Sequence, residues 1–86
     1  MEVIVYGRLR SATGQKQVTL EFTGGTVGDA LQTFVSAYPR AKRHLYRDDG
    51  ELAPSVRISI NGETTDLEEA CPPDASLSIH PAMRGG

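Results

Sequence analysis

From Val27 onward, Ala30, Leu31, Phe34, Val35 and Tyr38 recur at three- and four-residue intervals, which lays their side chains along one stripe of a helix. Pro39 stops that run, because its ring offers no N–H and collides with the preceding turn. At the other end Thr26 stands three residues before Asp29, a weaker relative of the capping box in which a hydroxyl accepts from orphan helix N–H groups. The spacing predicts one helix opened at Thr26 and closed at Pro39. A helix with one apolar stripe must cover an apolar surface, and that surface has to come from the segments on either side.

Those segments alternate with a period of two. In EVIVYGRLR, Val3, Val5 and Leu9 share one parity and Ile4, Tyr6 and Arg8 the other, which reads as a strand whose second face is partly apolar. SATGQK reads as a turn around Gly14, and QVTLEF alternates Val18, Leu20 and Phe22 against Thr19 and Glu21, completing a hairpin. After the helix, RAKRHLYRDDGE predicts a short helical turn and then a loop at Asp48 to Gly50. SVRISI places Val56, Ile58 and Ile60 on one face and ends at Asn61-Gly62, a strong hairpin signal. DLEEACPPD reads as a turn ended by Pro72 and Pro73, and SLSIH as a last strand with Leu77 and Ile79 inward.

The order hairpin, helix, strand, return and final strand predicts an α+β fold, a mixed sheet of four to five strands covered by one main helix. A ubiquitin-like β-grasp is the most economical topology for it. A ferredoxin-like fold is the alternative, but it wants a second full-length helix that the segment after Pro39 is too short to supply. Eighty-six residues make one domain, read as a body over 1–80 and a flexible tail over 81–86.

Composition narrows the function. The chain is 38% hydrophobic and 23% charged with a net charge of −2, which lacks the electrostatic footprint of a nucleic-acid binder and gives no attraction to anionic membranes. No apolar run approaches the roughly 20 residues that span a bilayer, and MEVIVYGRLR lacks a signal-peptide layout, so a cytoplasmic protein is expected. The single Cys71 cannot form an internal disulfide or a Cys-rich metal site.

Few residues form a constellation for chemistry within the body. GGTVGDA has glycines between a strand and a helix, but it lacks the Lys-Ser/Thr of a phosphate loop and the G-x-G-x-x-G spacing; a turn and a capped helix start account for it. Cys71, His44 and His80 could be imagined as a thiol nucleophile with imidazole bases, yet no spacing ties them together. Glu68-Glu69 and Asp48-Asp49 read as solvated carboxylates. The cluster Arg40, Lys42, Arg43 and Arg47 adjoins Asp48, Asp49 and Glu51 and reads as a solvated face, or as a docking edge for a partner.

The tail HPAMRGG stands apart. Beyond the last apolar anchor, Ile79, about seven residues can reach up to roughly 24 Å, far enough to enter another protein's active site. Pro81 stiffens the exit, and Gly85 and Gly86 fit a slot too narrow for a Cβ. A terminal carboxylate is a poor acyl donor until activated; an adenylyl group from ATP would make it a mixed anhydride, open to a sulfur nucleophile or an amine. No ATP site of the chain's own is apparent, so a partner enzyme would have to supply the activation.

With VIVYGRLR running into a glycine turn, TVGDAL, YPRAKRHLYRDDGEL, ISINGE and HPAMRGG, the whole chain resembles the small sulfur-carrier and ubiquitin-like modifier family. That family includes the molybdopterin-synthase small subunit, the thiamine sulfur carrier and the small archaeal modifiers, to which TVGDAL and DDGEL with a Gly-Gly end are most similar. The resemblance implies a carrier, not an enzyme, with no cofactor bound and ATP used by an E1-like adenylating enzyme. Gly86 would be adenylated, then thiocarboxylated with sulfur from a donor or joined to a lysine of a target, with Gly85 penultimate. The implied recipients are target proteins or a sulfur-accepting synthase subunit, and Lys16 and Lys42 are the candidate acceptors within the chain. His80-Pro81 replaces the family's usual Pro-Pro, and Met83-Arg84 stands where small or apolar residues are common.

The first and last strands would then lie side by side, bringing Ile4 and Tyr6 beside Ser78 and His80. Together with Pro81, Met83 and Arg84 these would dock the activating enzyme; the competing reading makes Ile4 and Tyr6 scattered surface hydrophobes. Two other functions stand against the carrier: a β-grasp binding module with an idle tail, and a Cys71-dependent enzyme.

Overall fold

The alternating segments do become strands, and the helical stripe becomes the helix that covers them. In the computed structural model, which describes residues 1–81, β1 (Glu2–Val5) pairs antiparallel with β2 (Gln17–Thr19). A two-residue β3 (Gly25–Thr26) leads into α2 (Val27–Ala37), after the short α1 (Leu9–Thr13) has already bridged β1 and β2. A 3-10 turn, Pro39–Ala41, and α3 (Lys42–Leu45) follow. Then come β4 (Arg57–Ile60), β5 (Glu63–Thr65), β6 (Ala70–Cys71) and β7 (Ser76–His80).

The main sheet has the order β2-β1-β7-β4-β5, with β7 in the middle. β1 and β7 run parallel, Val3 opposite Leu77 and Val5 opposite Ile79, and every other pairing in it is antiparallel. This is the α+β, β-grasp arrangement expected, with five strands in its mixed sheet. Val3, Val5, Val18, Ile58, Leu77 and Ile79 turn inward against Val27, Ala30, Leu31 and Phe34 of α2, all of them buried. At about 1.5–3 kcal/mol for each large aliphatic or aromatic side chain, this layer contact is the main stabilising term.

Helix α2 begins where the hydroxyl predicts. Thr26 Oγ1 accepts from the Asp29 amide at 3.1 Å and the Asp29 carboxylate accepts from the Thr26 amide at 3.0 Å, a complete capping box. Two glycines at the helix start serve packing. A Cβ on Gly25 would lie 2.6 Å from Asp29 Oδ2, and one on Gly28 would lie 3.3 Å from the Leu67 carbonyl oxygen. The Asp29 carboxylate occupies the helix start, which makes it a poor seat for phosphate.

Three expectations need correction. Leu9 is not in the first strand: Gly7, at φ +55°, turns the chain out of β1, and Leu9 is buried from α1 instead. SATGQK is accordingly half helix, ended by Gly14 in the left-handed conformation with its N–H donating to the Arg10 carbonyl at 2.8 Å. DLEEACPPD is more than a turn, because β6 pairs with β3 in a second, two-stranded ladder. Cys71 thereby leaves solvent and joins the core at 1% exposure.

Candidate functional site

Strand β7 delivers the chain to its exit at the centre of the sheet. Because β1 and β7 are parallel and in register, the Tyr6 amide donates to the Ile79 carbonyl at 3.2 Å, and Tyr6 and His80 emerge as neighbours. Their rings stack with centroids 4.1 Å apart and planes 5° from parallel. The Arg10 guanidinium lies 5.8 Å from the Tyr6 ring centroid, and its Nε donates to the Val5 carbonyl at 3.2 Å, which fixes α1 beside the stack.

Pro81 rests on Gly7. A Cβ at that position would meet Pro81 Cγ at 3.2 Å, and the left-handed φ already disfavours any other residue. The two sequence features at the ends of β1 and β7 thus form one seat: the glycine that turns the chain after β1 makes room for the proline that stiffens it after β7. On the far side of β7, Arg57 stands opposite His80 in the ladder. Arg10, Tyr6, His80 and Arg57 therefore flank the exit.

The expected docking residues divide. Ile4, Tyr6, His80 and Pro81 come together as the sequence predicts, with Ile4 opposite Ser78 and Gln17. Ile4 and Tyr6 are half-buried, and the row across the outer face is completed by Ser59 and Thr64, so the apolar part is narrow. Met83, Arg84, Gly85 and Gly86 lie outside the described residues. Lys16 and Lys42 are exposed, Lys16 after α1 and Lys42 at the start of α3. Gly7, Arg10 and Arg57 were missed as site residues; strand register alone would have found Arg57, but Gly7 and Arg10 depend on α1.

The pairing of Cys71 with His80 fails on placement. Cys71 Sγ is 3.7 Å from Met1 Sδ, at the start of β1, whereas His80 stacks on Tyr6 at its end, five residues and roughly 16 Å further along. Burial also pushes the Cys71 thiol upward, only partly offset by the N-terminal charge, so it is held as a thiol rather than a thiolate. Among the described residues no helix is long and apolar enough to cross a membrane.

The comparisons with known proteins agree with this fold. Small archaeal modifier protein 1 of Haloferax volcanii is 34% identical over 87 residues, covering 100% of both chains. Its crystal structure superposes with a TM-score of 0.86 at 33% identity, covering 100% of this chain and 98% of that one. The solution structure of its Methanosarcina acetivorans counterpart gives 0.82 at 26% identity, over 99% and 94% of the two chains. A chain of the Amycolatopsis orientalis BexX/CysO complex gives 0.77 at 26%, over 99% and 98%. The pattern of the ThiS family matches residues 3–86, and the chain belongs to that family.

Proposed function

We propose that this protein is a ubiquitin-like modifier and sulfur carrier, a substrate of other enzymes, whose reacting group is the carboxyl of Gly86 on a tail spanning 81–86. The observation that carries the reading is the seat at the end of the central strand: Pro81 rests on Gly7 beside the Tyr6–His80 stack, directly before the Gly-Gly-ended segment. Full-length identity to an archaeal modifier supports the class. The likeness to a chain of the BexX/CysO complex supports a protein that works in complex with another protein.

The chemistry follows from the carboxyl. An E1-like partner brings ATP; a Gly86 carboxylate oxygen attacks the α-phosphorus and pyrophosphate leaves, forming an acyl adenylate. A sulfide then attacks the carbonyl carbon and AMP departs, leaving a thiocarboxylate; a lysine amine attacking the same carbon leaves an isopeptide bond instead. Ile4, Tyr6 and His80 hold the partner while Gly85 and Gly86, without side chains, let its slot close on the backbone.

Intact-mass measurement after incubation with the cognate E1-like enzyme, ATP and sulfide tests this. The expected gain is that of one oxygen replaced by sulfur, lost when Gly86 is deleted; an unchanged mass for the full chain rejects the carrier reading. In the same assay Tyr6→Ala is expected to raise the KM for the protein several-fold with kcat retained, whereas Tyr6→Phe, which keeps the stack, behaves as wild type.

A further inference from the structure

A second surface lies away from the stack, where the chain leaves α2. Pro39, Arg40, Lys42, Arg43, Tyr46 and Arg47 line an open groove of about 640 Å³, together with Asp48. Its apolar wall is fixed. Tyr46 is half-buried, bridges to Leu52, caps α3 through its amide on the Lys42 carbonyl at 2.8 Å, and sits 3.4 Å from the Gln32 amide nitrogen. Burial raises its pKa, so its hydroxyl stays neutral and able to donate.

The charge is lopsided. Four cations face one carboxylate in the lining, and among the described residues the one recorded ion pair here is Arg47 with Asp49 at 3.6 Å, between half-exposed side chains. Positions 17–39 and 58–83 contain no Lys or Arg, while 58–83 hold Glu63, Asp66, Glu68, Glu69 and Asp74. A protein of net charge −2 has thus gathered four of its nine Lys and Arg within eight residues, around a concave surface walled by an aromatic ring.

We propose that this groove is a docking site for an acidic segment of a partner protein, a few carboxylates held by Arg40, Lys42, Arg43 and Arg47 with an apolar side chain against Tyr46 and Pro39. Charge complementarity selects carboxylates, and the short extent of the cations selects a brief segment. A long nucleic-acid backbone leaving the groove would meet Asp48, Asp49, Glu51 and the acidic remainder of the chain. The groove is independent of the carboxyl chemistry of the tail.

Backbone NMR of the full chain, titrated with an octaglutamate peptide, tests it. The expected result is saturable shifts concentrated over residues 40–47, with affinity at least ~5-fold weaker when NaCl is raised from about 50 to about 300 mM. Arg40→Glu with Arg43→Glu should abolish the shifts; if that pair does not fold, Arg40→Gln with Arg43→Gln should weaken them. The proposal is overturned by absence of shifts, by shifts equally strong around Arg8, Arg10 and Arg57, or by undiminished binding in the folded variants. It is also overturned if an oligouridylate of equal length or inorganic phosphate binds the same residues more tightly than the peptide.

Discussion

Cys71 shows how one residue changes meaning when a distant segment pairs with it. In ACPPD it reads as an incidental thiol before two prolines; in the fold it pairs with Gly25 across β3 and β6 and packs against Met1. Nothing local announces that ladder, because β3 and β6 are two residues long and hold no periodic pattern. Burial raises the thiol above its value in the unfolded chain, about 8.5. Stability from this group is therefore complete below about pH 8.5 and is lost as pH rises through the higher folded value, since the unfolded chain gives up a proton that the native state keeps. Urea unfolding between about pH 8 and pH 9.5 should show a declining stability that Cys71→Ala removes, in a window below the tyrosine range near 10. A thiol reagent should likewise react with native Cys71 far more slowly than with the unfolded chain.

At the scale of elements, what could be read from the chain was whatever its own neighbours decide. Helix α2 was legible because its stripe, its capping hydroxyl and its terminating proline all lie within Thr26 to Pro39. The β1–β7 neighbourhood came from topology, and the register then placed Tyr6 against His80 as expected. Leu9 was misread because its parity continues the strand while Gly7 breaks it, and parity carries no information about φ. The capping box makes a sharp test. Thr26→Ala removes the acceptor for the Asp29 amide and should cost about 1 kcal/mol, visible as a lower urea midpoint with an unchanged slope. Thr26→Ser keeps the acceptor and should recover most of the loss.

For the whole molecule, the sheet order puts β7, the last described strand, at the structural centre. β7 pairs with β1 on one side and β4 on the other, and supplies Leu77 and Ile79 to the core, so removing it would take out the middle of the sheet. Among the described residues, 1–81, the buried cluster packs between α2 and the main sheet, whose middle strand is β7. Under the proposed function, a tail that is inserted, activated and released should bear none of the fold's stability. Deleting 82–86 is therefore expected to leave the thermal midpoint within about 2 °C of the full chain, less than the ~4–8 °C that a 1 kcal/mol loss produces in a domain of this size. The same deletion should eliminate any ATP-dependent mass gain. Deletion from Leu77 onward should instead yield a chain without a cooperative transition, since two ladders lose their shared strand. Thermal melts followed by circular dichroism separate the cases: a drop of several degrees on removing 82–86 would mean the tail is part of the folded body, and a carrier that must release it on every cycle would then have to unfold in part each time.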